Sequence, residues 1–215
     1  MTKKIKIVPA ILVKNKAGFQ KQFSKVKNYF SYIQIDIMDG VLVKEKNAIS
    51  PQVVKSITRG YKLEVHLMVK DVASYIKSWR KLRNVSKIIW HYEAEKDTEA
   101  ILCLNRYLRR QKIQTGLAIN PNTSLAKIKN IIPYFHTIQI MGIQPGAQGR
   151  KFKPSVLTKI KAIHKKYPRI HISVDGGVND KNFAAIKKAG ANTIAIGSYL
   201  QRSKDIKQAL KKLNN

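Results

Sequence analysis

The chain is expected to fold as α/β, a single (β/α)8 barrel spanning residues 1–215. Eight short runs rich in Ile and Val alternate with eight stretches of helical spacing. Strand starts recur at intervals of about 20–34 residues, the length of a β-α unit. Just over 200 residues suffice for the compact form of such a barrel. The alternative, a doubly wound open sheet, has fewer strands and a glycine-rich first turn. Here the first turn reads VPAILVKNKAG, with no G-x-G-x-x-G.

The elements follow in order. IKIVPAI (5–11) is the first strand, with a helix expected over 16–30. YIQIDIM (32–38) precedes a helix over 50–59, and KLEVHLM (62–68) one over 71–83. KIIWHY (87–92) leads to a helix over 95–111, and IQTGLAI (113–119) to one over 123–131. HTIQIMG (136–142), IHISVD (170–175) and NTIAIGS (192–198) are followed by helices over 154–166, 180–188 and 201–213. Asp71, Asp97 and either Asn122 or Thr123 stand where N-caps belong, and Gly60 and Gly190 near helix ends. Strands such as 87–92 and 136–141 read as apolar on both faces, as a covered parallel sheet requires.

Composition narrows the function. A hydrophobic share of 44% with 8% aromatics fits a globular core. No run approaches the roughly 18 apolar residues of a membrane span. The amino-terminal stretch is too short and too interrupted for a signal peptide, so a cytoplasmic protein is expected, with no membrane partner. Cys103 alone permits no internal disulfide, and its place in AILCLNRYL suggests core packing. The net charge of +30 raises the question of nucleic acid. The basic residues are scattered among apolar positions, without an Arg-rich arm, so no specific nucleic-acid partner is expected beyond weak binding at low salt.

In a (β/α)8 barrel, chemistry sits at the C-terminal strand ends. The polar residues there are Gln34, Asp36 and Asp39 on the second strand, Glu64 and His66 on the third, His91 and Glu93 on the fourth, and Asp175 on the seventh. Gln34, Asp36 and Met38 share one face of their strand. An unpaired buried carboxylate is costly there, so Asp36 either sits at a solvated strand end or has chemistry to do. Met38, Met68 and Met141 accompany the set as pocket-lining residues. Glycines gather in the last three loops: Gly146 and Gly149, then Gly176 and Gly177, then Gly197 followed by Ser198. Such loops are the usual phosphate cradle of a barrel.

In VPAIL, IDIMDG, EVHLM, WHYEA, GLAINPNT, MGIQPG, SVDGGV and AIGSYL, in that order, the chain resembles the ribulose-phosphate 3-epimerases over about residues 5–200. The resemblance implies interconversion of D-ribulose 5-phosphate and D-xylulose 5-phosphate in pentose phosphate metabolism. Asp36 and Asp175 match the family's two catalytic aspartates, exchanging a proton at C3 through an enediolate. Asp36, His66 and Asp175 match three ligands of one divalent metal ion (Zn, Mn, Fe or Mg), and His66 with the loop glycines matches substrate contacts. Homo-oligomers are common in the family.

The chain departs from the pattern at several positions. Gln34 stands where a fourth, histidine ligand is usual, and Ala10 where a serine contacts substrate. VLVKEKN follows MDG, and the phosphate loop reads GAQGR, whose Arg150 is either a phosphate contact or a solvated residue. These changes keep two alternatives open: an epimerase of another ketose phosphate such as allulose 6-phosphate, and a degenerate barrel that binds sugar phosphate without turnover. The Asp-x-Lys-x-x-Asp signature of the sister decarboxylase and hexulose-phosphate synthase barrels is absent. His91 and Glu93 are placed to support the site from behind, and His136, His164 and His171 have no assigned role.

Overall fold

The computed structural model describes residues 5–47, 49–146 and 149–214. Eight parallel strands close a barrel in chain order: β1 (Lys6–Ile11), β2 (Tyr32–Met38), β3 (Lys62–Met68), β4 (Val85–His91), β5 (Gln114–Ile119), β6 (Thr137–Met141), β7 (His171–Asp175) and β8 (Thr193–Ile196). β1 pairs with β2 on one side and β8 on the other, so no strand edge is left open. Outside run α1 (Lys16–Val26), α2 (Pro51–Ile57), α3 (Val72–Trp79), α4 (Thr98–Arg110), α5 (Val156–Lys166), α6 (Asp180–Ala189), α7 (Ser198–Arg202) and α8 (Ile206–Asn214). No helix among the described residues is long and apolar enough to cross a membrane.

The period-2 pattern sorts the strands into two faces. Ile33, Ile35 and Ile37 of β2, Leu63, Val65 and Leu67 of β3, and Ile88 and Trp90 of β4 join the large apolar cluster beneath the helices. Each such buried side chain is worth about 1.5–3 kcal/mol of transfer free energy. The opposite face of these strands fills the lumen, and it is polar: Gln34, Glu64, His66, Lys87, His91, Gln139 and Ser173 are all buried. The expectation that β4 and β6 are apolar on both faces therefore fails on the inner side.

Capping follows the sequence signals. Asp71 accepts from Ser74 N at 3.2 Å and Asp97 from Glu99 N at 3.2 Å. Gly60 and Gly190 adopt φ of +85° and +109° after their helices. Three expectations are corrected. Between β5 and β6 the helix expected over 123–131 is replaced by two 3-10 turns, Leu125–Lys127 and Ile132–Tyr134, the first capped by Ser124. Leu125, Ile128 and Ile131 recur every three residues, which suits a 3-10 repeat, and Pro133 stands in the first turn of the second 3-10 segment, where its missing N–H costs nothing. The terminal stretch 201–213 is divided into α7 and α8 by residues 203–205. Cys103 is exposed, because α4 turns Ile101, Asn105 and Leu108 inward and position 103 falls on another side of the helix.

Candidate active site

Asp36 and Asp175 reach the same point at the C-terminal mouth from β2 and β7, three steps apart around the barrel. His66 Nδ1 lies 3.1 Å from Asp36 Oδ1 and 3.2 Å from Asp175 Oδ2. Gln34 sits one layer below and donates its amide nitrogen to both, at 2.8 Å and 2.7 Å. Gln139 of β6 adds a third donor, 3.3 Å from Asp175 Oδ2. Two carboxylates are thus held together by donors aimed between them.

The electrostatics follow from burial. The Asp36 carboxyl is pushed up, first by burial and then by the neighbouring Asp175 charge. Burial alone would lower His66, but its hydrogen bonds to Asp175 and Asp36 prevail and raise it to about 10. With no cation present, the imidazole is an imidazolium between two acids.

Behind it runs a chain of polar contacts. His66 Nε2 is 2.9 Å from His91 Nε2, and His91 Nδ1 is 3.2 Å from Glu93 Oε2. Burial lowers the His91 value. Glu93 would be raised by burial, but contacts with His91, the Thr123 hydroxyl and Asn120 N bring it below the usual range. An ionised Glu93 accepts only, so His91 carries its proton on Nδ1 and receives the Nε2–H of His66. This fixes which face of the His66 ring meets the carboxylates.

The pocket is lined by Asp36, His66, Met68, Met141, Asp175 and the loop residues Gly146, Gly149, Gly176, Gly177, Gly197 and Ser198. Met38 packs beside it with Val43 and Met68. The loops after β6 and β7 meet closely: Gly142 N donates to Asp175 O at 2.6 Å. A Cβ on Gly142 would lie 2.3 Å from Gly176 O, and one on Gly177, at φ +72°, 2.7 Å from Phe152 N. Ala147 and Gln148 of the GAQGR loop lie outside the described residues. Arg150 turns away from the pocket, donating to Gln144 O at 3.1 Å and lying 3.9 Å from Glu45.

Two polar residues read as site candidates belong elsewhere. Glu64 lies deeper in the lumen, bound to Lys87 at 2.7 Å, because one strand step toward the N-terminus lowers it out of the mouth. Asp39 spends its oxygens on Val41 N, Leu42 N and Lys70 N, tying two loops together. Sequence reasoning missed Gln139, although it shares a strand face with Met141. It also missed Asn47, which donates to Asp36 O at 2.7 Å and accepts from Met38 N at 3.0 Å, pinning the end of β2.

Asp36, His66 and Asp175 could hold a metal ion, their ligand atoms all lying within 4.8 Å of one another. The Gln34 amide oxygen is buried without a described partner. Half a turn of that amide would aim the oxygen at the carboxylates, a repulsive placement unless a cation lies between. The donor set therefore fits a divalent ion.

Comparison with known proteins agrees with this geometry. The model of the ribulose-phosphate 3 epimerase family matches residues 6–201. The ribulose-phosphate 3-epimerase of Helicobacter pylori strain J99 is 32% identical over 217 residues, covering 98% of this chain and 97% of that protein. The Schizosaccharomyces pombe enzyme of the same name is 29% identical, covering 98% and 92%. A mutant tryptophan synthase alpha-subunit from Pyrococcus furiosus superposes with a TM-score of 0.71 at 16% identity, covering 100% of this chain and 98% of that one, a likeness of fold alone. The match along nearly the whole sequence makes this chain an isomerase acting on carbohydrates, a member of the ribulose-phosphate 3-epimerase family.

Proposed function

We propose that the chain interconverts D-ribulose 5-phosphate and D-xylulose 5-phosphate by two-aspartate proton transfer. The observation that carries this is the convergence of Asp36 and Asp175 on one imidazole from strands three steps apart. Epimerisation at C3, beside a ketone at C2, needs a base on one face and an acid on the other. One carboxylate removes the C3 proton and the electron pair moves onto the C2 oxygen, giving an enediolate. The opposite carboxylic acid then returns a proton to C3 from its own face. The roles exchange when the reaction runs backward, and no electrons are gained or lost.

The surroundings serve this exchange. Met38, Met68 and Met141 present apolar thioethers to the reacting carbons and exclude water that would quench the carbanionic centre. Where no ion is held, His66 donates its Nδ1–H between the acids. Gly146, Gly149, Gly176, Gly177, Gly197 and Ser198 bring backbone close to a phosphate without side chains in the way.

Asp36, His66 and Asp175 would hold one divalent ion, His66 giving up its Nδ1 proton to do so while keeping Nε2–H on His91. When bound, the ion supplies Lewis-acid stabilisation of negative charge on the substrate oxygen. Gln34, which contacts both carboxylates, could offer only a neutral amide oxygen, so these residues would hold Zn less firmly than a set with a second imidazole, and Mn or Mg would compete better.

The test is exchange of the C3 proton of ribulose 5-phosphate in D2O, followed by NMR, on chelated protein and after Zn, Mn or Mg is restored. Exchange with formation of xylulose 5-phosphate supports the assignment. No exchange with any ion overturns it.

A further inference from the structure

The twelve Asp and Glu and 42 Lys and Arg of this chain are unevenly placed by the fold. Eleven acids lie at C-terminal strand ends, in the loops after strands, or at the starts of helices. The twelfth, Glu64, is neutralised inside the lumen by Lys87. The opposite end, where helices finish and strands begin, has no other acid among the described residues. Each connection from an α-helix to the next strand carries Lys or Arg except 190–192, which follows Lys187 and Lys188. The acids are thus gathered at the catalytic end, where cations such as Lys44, Lys46, Lys70 and Lys151 also stand, and the other end is left basic without counter-charge.

Helix dipoles favour cations at this end, but weakly and only within the last turn, whereas the acid-free region extends through the connections to the strand starts. Two cavities open there. One of about 560 Å³, ringed by the strand starts, has Lys6, Lys62, Lys87, Lys112, His136 and His171 on its wall. The other, of about 720 Å³, is lined by Lys55, Arg59, Lys81 and Arg83 with no acid. The crowding shows in Lys6 and His136, each lowered by burial first and then by neighbouring cations.

Aromatic rings are set among these charges. Tyr29 and Tyr134, in the loops of this end, are 49% and 51% exposed. Lys6 stands 3.4 Å over the Tyr32 ring, Arg80 5.3 Å over Tyr107 and Lys166 5.6 Å over Tyr167. A basic face interleaved with exposed rings is the chemistry that receives phosphates and unstacked bases together.

We propose that the N-terminal end of the barrel binds single-stranded nucleic acid, phosphates along the basic connections and bases against Tyr29 and Tyr134. Among the described residues, the short turns of this end offer no helix or ribbon to enter a duplex groove. The exposed large apolar residues here are tyrosines rather than aliphatic anchors for a bilayer. The face lies across the barrel from the catalytic pocket, so the proposal stands or falls apart from the epimerase reading.

The test is fluorescence polarisation of the full chain with a labelled oligouridylate of about 20 nucleotides across a salt series. The triple variant Arg59→Gln, Lys81→Gln, Arg83→Gln should bind about tenfold more weakly at physiological salt, with a salt slope flatter by about 2. Lys14→Gln, Lys16→Gln, Lys21→Gln removes the same charge elsewhere and should change affinity by less than about twofold. Tyr29→Ala with Tyr134→Ala should weaken binding and leave the slope unchanged. An unaltered thermal transition in all three variants shows that they fold. Equal losses in both charge triples would mean net charge alone, and overturn the site. A duplex of equal length, or phosphatidylserine vesicles, bound as tightly as the oligouridylate would overturn the single-strand assignment.

Discussion

Gln34 holds Asp175 by its amide nitrogen at 2.7 Å, and the same nitrogen donates to Asp36 at 2.8 Å. A neutral donor thus occupies the corner from which a ligand would face a cation. Gln34→His replaces it with an imidazole, and metal analysis after purification should show higher Zn occupancy than in the native chain. Unchanged metal content would mean that position 34 does not face the ion.

Asp175→Asn keeps the shape of the β7 end but removes one of the two proton carriers. Turnover should vanish while the thermal transition persists. Activity retained above about a tenth of native would contradict the two-carboxylate mechanism.

Lys87 and Glu64 form an ion pair in the lumen, 7% and 0% exposed. Lys87→Met alone strands the Glu64 charge and should cost about 3–5 kcal/mol in urea unfolding. Glu64→Leu added to it should recover most of that loss. A double variant as unstable as the single one would argue that the pair's geometry, rather than its charge, is what the barrel needs.

Glu93 is held below its ordinary value of 4.5. A depressed carboxylate contributes stability above its unfolded pKa and loses it as pH falls through the folded value. Glu93→Gln should therefore be less stable than native by about 1–3 kcal/mol at neutral pH. The gap should narrow as pH falls below 4.5 and through the folded value, until both chains carry a neutral side chain. A gap independent of pH would show that Glu93 acts by shape alone.

How much of this was legible in the sequence depends on distance along the chain. The alternation in YIQIDIM put Gln34 and Asp36 on one face correctly, because that is a property of residues two apart in a strand. The depth of Glu64 was not legible, since alternation gives a side but not a height within a tilted barrel. The 3-10 turns after β5 were hidden because Leu125, Ile128 and Ile131 satisfy spacings of three in either helix type. Gln139 went unread because its partner, Asp175, is 36 residues away. The acid-free basic end was invisible for the same reason: each connection contributes a few charges, and only closure of the barrel assembles them.

The polar lumen and the apolar shell around it are separate layers in this protein. Cohesion resides in the shell, between strands and helices, while the residues that could meet a substrate line the inside. Substitutions at lumen positions such as 34 or 139 change the donors facing the channel while leaving the apolar shell in place, provided the buried carboxylates keep a partner. Such a barrel can present a different donor to a ligand or ion through a change within the channel, and position 34 is one place where the donor faces both carboxylates.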